Sequence, residues 1–192
     1  GVVLVFKDVT ERNRLHKEIQ EREKRFRGLL ERLPEAAYRM SLPDGTYEYF
    51  SPAAKSVFGY SAEEFLGEPL FISRIVHPDF AEYFGDVWAD LLRGKVPPTY
   101  EYKVIDPAGN ERWIMQSNTG IFDATGRIVA IEGVCSDITE LKRAEAALHL
   151  KTSAMESSIS GISIVDLDGK ITYANPAALR LWGYDHEEEV LG

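Results

Sequence analysis

Tyr49-Phe50-Ser51-Pro52-Ala53-Ala54-Lys55-Ser56-Val57-Phe58-Gly59-Tyr60 is echoed 124 residues later by Tyr173-Ala174-Asn175-Pro176-Ala177-Ala178-Leu179-Arg180-Leu181-Trp182-Gly183-Tyr184. The same offset relates Asp44-Gly45 to Asp168-Gly169, and Ser61-Ala62-Glu63-Glu64 to Asp185-His186-Glu187-Glu188. A second repeat, Asp8-Val9-Thr10-Glu11 against Asp137-Ile138-Thr139-Glu140, has an offset of 129. A period this long is too great for a solenoid and predicts tandem domains. The first copy of the Asp-Val/Ile-Thr element opens the chain and the second copy of the Gly-Tyr element closes it. That order predicts the tail of one unit, one whole unit and the head of a third. The chain begins with Gly1 rather than Met and runs at once into a strand-like stretch, as expected of a piece of a longer protein.

Around this repeat lie 192 residues with 22 basic and 31 acidic side chains, a net charge of −9, and 44% hydrophobic content. Bulk disorder is excluded by that content. The longest apolar run, Val2 to Phe6, falls far short of the roughly 18 residues needed to cross a bilayer. The single cysteine, Cys135, excludes an internal disulfide framework and an all-cysteine metal site. The acidic balance argues against a nucleic-acid surface. Charge is uneven: residues 11–33 carry eight basic and five acidic side chains, whereas residues 34–137 carry eight basic and sixteen acidic. The mixed signs in the basic segment favour a solvated helix face over a membrane patch.

Local signals give the element order. Thr10 is suited to cap a helix over Glu11–Arg32, with Leu15, Ile19, Phe26, Leu30 and Leu33 on one stripe. Pro34 ends it. Strands are expected over Glu35–Ser41 and Thr46–Ser51, joined by the Pro43-Asp44-Gly45 turn. Pro52 opens a helix to Phe58. Ser61 with Glu64 forms a capping box for a short helix closed by Gly67, and Asp185 with Glu188 repeats the device. Pro78–Leu92 is a longer helix with Phe80, Phe84, Val87, Trp88 and Leu91 on one face and Gly94 as its C-cap. Strands follow over Thr99–Asp106, Arg112–Phe122 and Arg127–Ile138. The last strand is apolar at both parities, so both faces of the sheet need cover, one from the short helices and one from the linker helix or a second chain.

This order resembles that of PAS domains with their PAC extension. The resemblance rests on the Asp44-Gly45 turn, Asn/Ser-Pro-Ala-Ala before a helix and Phe/Trp-Gly-Tyr followed by Glu-Glu. It rests further on Val76-His77-Pro78-Asp79, Asp106-Pro107-Ala108-Gly109, Arg112-Trp113 and Asp137-Ile138-Thr139-Glu140. It implies an α+β PAS fold: a five-stranded antiparallel sheet with helices on one face, flanked by linker helices. Residues 1–10 become the C-terminal strand of a preceding unit and 11–33 a helical linker. Residues 26–139 become a complete PAS/PAC domain, 140–158 a second helical linker, and 150–192 the N-terminal part of a further, truncated PAS domain. Val2–Val9, as an orphan last strand, is a candidate partner for Gly161–Asp166.

No enzyme constellation is evident. There is no phosphate loop and no His-Glu-x-x-His, and the histidines His16, His77, His149 and His186 are scattered. His16 lacks the downstream Pro-Leu of a phosphoacceptor helix. Cys135 lies inside a strand, where a buried structural thiol is the reading. His77 precedes Pro78 and reads as a cap or turn residue. After Gly67 the chain has Glu68-Pro69-Leu70 in place of the Asn-Cys-Arg of adduct-forming flavin members. No catalytic or metal residues and no cofactor are therefore expected; haem, a non-covalent flavin and an unidentified small-molecule ligand stay open alternatives.

Such a fold encloses a concave apolar site. Its candidate lining residues are Tyr38, Phe50, Phe58, Phe71, Ile75, Phe84, Trp88, Ile114, Gln116 and Asn118. Most of the aromatics are read as core, whereas the amides of Gln116 and Asn118 need partners if they point inward. By resemblance, Asp137, Ile138 and Thr139, like Asp8 and Thr10 before them, relay signal between sheet and exit helix, with Thr139 as the cap. Leu15, Ile19 and Phe26, and Leu141, Leu148 and Met155, are candidate dimer seams. The implied function is a cytoplasmic sensory, relay and dimerising segment, a homodimer through its linker helices. Its output domain lies downstream in the same chain, most commonly a histidine kinase in a phosphorelay. The alternatives are a ligand-free interaction module, the input of a diguanylate cyclase, and a haem or flavin redox sensor. Neither nucleic-acid nor membrane contact is expected of this segment.

Overall fold

The computed structural model describes residues 17, 18, 21, 22, 24, 25, 28 and 30–192. The strand expected at Val2–Val9 and the positions Asp8, Thr10, Leu15, His16, Ile19 and Phe26 lie outside the described residues. So does the pairing proposed for Val2–Val9. The described positions between Lys17 and Leu30 are helical. The chain divides into two compact units at Thr139/Glu140.

In the first unit the elements run β1 (Ala36–Ser41), β2 (Tyr47–Phe50), α1 (Ala54–Phe58), α2 (Ala62–Gly67), α3 (Ile72–Ile75), a 3-10 turn (Pro78–Phe80), α4 (Ala81–Leu92), β3 (Thr99–Ile105), β4 (Glu111–Phe122) and β5 (Ile128–Asp137). The five strands form one antiparallel sheet in the order β2-β1-β5-β4-β3. Alternation places Ala36, Tyr38 and Met40 of β1, Tyr100, Tyr102 and Val104 of β3, and Ile114, Gln116 and Asn118 of β4 in the buried layer. Phe58 of α1, Phe65 of α2, Ile72 and Ile75 of α3 and Leu91 of α4 close over it in one hydrophobic cluster.

Several boundaries differ from the sequence reading, each for a local reason. The first short helix starts at Ala54 rather than Pro52: the Ser51 Oγ points to the sheet and accepts from Ala37 N–H (3.0 Å), and the Ala54 N–H donates to Ser51 O (3.0 Å) instead of to that hydroxyl. At the equivalent position of the second unit Asn175 does cap, accepting from Ala178 N–H (2.9 Å), and that helix starts at Pro176. Helix α3 is too short to carry a periodic signal. The box expected at Asp185/Glu188 forms one residue later, where His186 N–H donates to Glu189 (3.0 Å), while Glu187 between them accepts from Ala174 N–H. Gly59 ends α1 at φ +84°, and a Cβ there would lie 2.8 Å from Pro107, so this glycine also admits the β3–β4 turn.

Helix α5 (Thr139–Glu156) begins at Thr139, the last residue of the first unit, and the second unit holds the rest of it, then β6 (Ser163–Val165), β7 (Ile171–Ala174), α6 (Pro176–Trp182) and a 3-10 turn (Glu187–Glu189). Its pivot is Asn175, fully buried with both amide ends satisfied. The Nδ2 donates to Met155 O (2.8 Å) and Ser160 O (3.0 Å), and the Oδ1 accepts from Ile162 N–H (2.8 Å) and Ala178 N–H. One side chain thus joins the end of α5 to the strand and the helix.

Candidate functional site

The interior of the first unit is lined chiefly by aromatic rings. Phe50 stacks on Phe65 with centroids 4.1 Å apart and on Tyr38 at 5.7 Å, and Phe58 lies 5.1 Å from Phe65. Tyr100 stacks on Tyr102 at 5.6 Å, and Phe84 meets Tyr102 edge-on. The void they enclose measures about 20 Å³, enough for one water molecule. Of the residues singled out from the sequence, Tyr38, Phe50, Phe58, Phe84, Trp88 and Gln116 line it. Phe71, Ile75 and Ile114 are buried in the surrounding layer without facing the void. The reading missed Tyr47, Phe65, Tyr100, Tyr102 and Cys135, which also line it.

A polar thread runs through these rings. Tyr102 O–H donates to Gln116 Oε1 (2.6 Å), Gln116 Nε2 donates to the Tyr38 hydroxyl (2.7 Å), and Tyr38 O–H donates to Asn118 Oδ1 (2.6 Å). Gln116 Nε2 also reaches Asn118 Oδ1 at 3.1 Å. This accounts for two buried amides in an apolar setting. Asn118 Nδ2 is buried without a hydrogen-bond partner. Burial raises the pKa of Tyr38, Tyr47, Tyr100 and Tyr102, and it pushes the Cys135 thiol well above its ordinary value. The thiol is therefore kept protonated and inert as a nucleophile.

At the far end of β4 and β5 a second cluster forms where the sheet meets α5. Thr139 is 8% exposed. Its Oγ1 accepts from Trp113 N–H (2.9 Å) and donates to Asp137 Oδ1 (2.5 Å). Asp137 Oδ1 also accepts from Thr139 N–H (2.9 Å). Thr139 is thus not the cap expected from the sequence: Asp137 accepts from the first turn of α5, and Thr139 ties that turn to β4. The cause is register, since Ile114 of β4 lies opposite Asp137 and presents the neighbouring Trp113 N–H to the helix start.

Arg112 joins this cluster to the rest of the unit. Its Nη1 donates to Ser56 O (2.7 Å) and Val57 O (3.3 Å) near the C-terminal end of α1, where a cation is favoured. Its Nε and Nη2 donate to Asp106 Oδ2 (3.2 and 3.0 Å), and Nη1 lies 3.5 Å from Asp137 Oδ2. The Asp106 carboxyl is held down to about 2, first by the Asn110 N–H, then by the Asn110 amide, Arg112 and the Ala108 N–H. The sequence reading did not assign Arg112 a role. Its signal was the Arg112-Trp113 pair at the start of a strand.

His77 is the N-cap of the 3-10 turn: its Nδ1 accepts from Asp79 N–H (3.2 Å), and its Nε2 lies 3.3 Å from Glu111. Among the described residues no group of three or more His, Cys, Asp and Glu side chains could hold a metal ion. No described helix is long and apolar enough to cross a membrane. On the outer face of the sheet a groove of about 730 Å³ is lined by Leu30, Ala37, Arg39, Tyr49, Glu132 and Val134, and by Asn118, which lines this groove and not the interior void. On α5, Leu141 and Leu148 are exposed and Met155 is half-buried.

Residues 47–135 match the family described as PAS fold, and residues 150–192 match the family described as PAS domain. Together the two matches cover more than two thirds of the chain. Among curated proteins, the chain is similar to the biofilm dispersion protein BdlA of Pseudomonas aeruginosa, with 27% identity over 76% of this chain and 34% of that protein. It is similar to the two-component sensor PprA of the same organism, with 28% identity over 73% of this chain and 15% of that protein. The chain thus spans about a third of the first of these relatives and less of the second. Among solved structures, a sensory box histidine kinase/response regulator from Burkholderia thailandensis matches with TM-score 0.54 and 23% identity, covering 67% of this chain and 95% of that one. The N-terminal domain of a diguanylate cyclase with PAS/PAC sensor from Marinobacter aquaeolei matches with TM-score 0.52 and 16% identity, covering 56% of this chain and 98% of that one. These two likenesses show the fold.

Proposed function

The chain belongs to the PAS family, whose domains are sensory and non-catalytic in themselves, and from that premise we propose that it is an input and relay segment of a signalling protein. In this reading the aromatic interior of the first unit senses, and α5 carries the result onward. The observation that carries the reading is the junction of Arg112, Trp113, Asp137 and Thr139. It ties the start of α5 to strand β4, whose next inward residues are Ile114 and Gln116, and through Arg112 to the end of α1, whose Phe58 lines the void. A change in the ring packing that shifts β4 or α1 acts on the first turn of α5 through these bonds. Exposed Leu141 and Leu148, seven residues apart, suit a seam between two copies of α5. The output domain is a histidine kinase in the first instance and a diguanylate cyclase in the second.

The size of the void favours a second reading, a relay and interaction module whose interior is filled by its own side chains. The two readings share the junction. The experiment that tests it is the output activity of the full-length parent carrying Asp137→Ala and Thr139→Ala. Loss or locking of the response supports the relay, and an unchanged response overturns it. An absorbance spectrum and mass spectrometry of what denaturation releases separate the readings, since a stoichiometric small molecule supports a ligand sensor and an empty protein supports the interaction module.

A further inference from the structure

We propose that His77 is a proton-operated input to the Thr139 junction, separate from the aromatic interior. The use of that junction as a relay rests on the reading above; the proton site does not. The His77 side chain is 18% exposed, and its backbone N–H donates to Lys103 O (2.9 Å) at the edge of the sheet. Its Nδ1 accepts from the Asp79 N–H (3.2 Å), so the neutral ring carries its proton on Nε2, which lies 3.3 Å from Glu111 Oε1. A second proton must go to Nδ1, which then can no longer accept. The imidazolium therefore cannot cap the Pro78–Phe80 turn as the neutral ring does. Nδ1 lies 3.6 Å from Asp79 Oδ2, and its new N–H is drawn to that carboxylate instead. Histidine side chains in general make this change between about pH 5 and 8.

Among the described residues, the charged groups around the ring are Asp79 on its own turn, Glu111 at the start of β4 and, through Glu111, Lys103 of β3. Lys103 Nζ donates to Glu111 Oε2 (2.6 Å). Lys103 first, and His77 after it, hold the Glu111 carboxyl below the usual carboxylate range, so an anion meets the new charge. Two contacts then lead to Trp113. Phe80, whose N–H donates to His77 O (2.9 Å), ends the turn that Nδ1 caps, and its ring meets Trp113 edge-on with centroids 5.5 Å apart. Glu111 gives the second, because its two oxygens face His77 and Lys103 separately, and Lys103 Nζ also lies 5.4 Å over the Trp113 ring. A charged imidazole competes with Lys103 for that carboxylate and so re-aims the ammonium over the indole. Trp113 is the β4 anchor of the junction: its N–H donates to Thr139 Oγ1 (2.9 Å), and its O accepts from Ile138 N–H (2.9 Å). Protonation of His77 thus acts on the first turn of α5 through Trp113.

The test is an NMR titration of the whole 192-residue chain from about pH 8 to about pH 5, with amide protection factors at Ile138 and Thr139 measured at both ends. As the His77 ring takes up its second proton, the Asp79 amide, the Phe80 ring and the Trp113 indole are expected to move with one shared midpoint. Protection at Ile138 and Thr139 is expected to fall by about threefold or more. His77→Asn keeps a side-chain acceptor at the cap and cannot gain the charge, so all of these signals are expected to stay flat. Glu111→Gln removes an anion facing the ring and frees Lys103 to oppose the new charge, so the shared midpoint is expected at lower pH. An Asp79 amide that stays in place while His77 titrates, an equal loss of protection in His77→Asn, a midpoint unmoved by Glu111→Gln, or unchanged protection at both junction amides would overturn the proposal. The readout stops at Thr139, so it does not depend on α5 carrying the change further; that reading fails separately, in the output assay of the parent carrying Asp137→Ala and Thr139→Ala.

Discussion

Replacing Thr139 by valine keeps its shape and removes its hydroxyl, so no cavity opens and the effect is confined to hydrogen bonds. Two are lost: the one accepted from Trp113 N–H at 2.9 Å and the one donated to the Asp137 carboxylate at 2.5 Å. A buried N–H left without its acceptor costs about 1–3 kcal/mol, the partly buried Trp113 N–H falling in the lower half of that range, and a bond to a charged group contributes about 1.5–3 kcal/mol. Asp137 keeps its other donors, the Thr139 N–H and nearby Arg112, which moderates the second loss. The net is about 2–3 kcal/mol, felt where β4 meets α5. Because the chain holds two compact units, a single unfolding midpoint would blur this, so native-state hydrogen exchange at Trp113 is the suitable assay. At about 1.4 kcal/mol per decade, the loss corresponds to exchange of the Trp113 amide roughly 30- to 150-fold faster. Thr139→Ser keeps the hydroxyl and should stay within about fivefold of wild type. A valine variant with wild-type protection, or a serine variant as exposed as the valine one, would refute the reasoning.

Gly133→Ala should destabilise the first unit by about 1–3 kcal/mol, because its Cβ would fall 2.5 Å from Ser117 O and 2.7 Å from Tyr38 in the middle of the sheet; denaturation followed by β5 amide signals checks this. Asp106 has a depressed pKa, so its contribution to stability is fully present above the ordinary value of 3.8 and is lost as pH falls toward about 2; an acid titration of Asp106→Asn should lack that phase. Asn175→Ala strands two buried N–H groups and two carbonyls and should cost the second unit about 2–4 kcal/mol, read as loss of protection at Ile162 and Ala178 while Trp113 is unchanged.

The tandem arrangement was legible because turn and capping chemistry is local: Asp-Gly, Ser/Asn-Pro-Ala-Ala and Gly-Tyr signal themselves without reference to the rest of the fold. The interior was harder to read. On β4 both parities carry apolar residues, and only the fold shows that Trp113 faces away, meeting Phe80 and Lys103, while Gln116 faces in. What makes an inward glutamine tolerable is a pair of tyrosine hydroxyls from β1 and β3, a pairing set by strand order and invisible in any one segment. The alternation of Tyr100, Tyr102 and Val104 was a readable period-two signal for two of the missed lining residues. Arg112 was not readable in this way, since the carbonyls it holds on α1 lie 55 and 56 residues earlier.

The claim that most needs testing is that the aromatic interior and the start of α5 are coupled. Tyr102→Phe removes the O–H donor to Gln116 Oε1 without changing the ring; Tyr102 lies opposite Ile114 of β4, and Ile114 lies opposite Asp137, so β4 stands between the lost bond and the junction amides that report it. Amide exchange should be measured at Ile138, whose N–H donates to Trp113 O, and at Thr139, whose N–H donates to Asp137, with Glu64 in α2 as the reference. The account predicts faster exchange at Ile138 and Thr139 relative to Glu64. Unchanged exchange at both junction amides, in a variant whose interior resonances have moved, would contradict it.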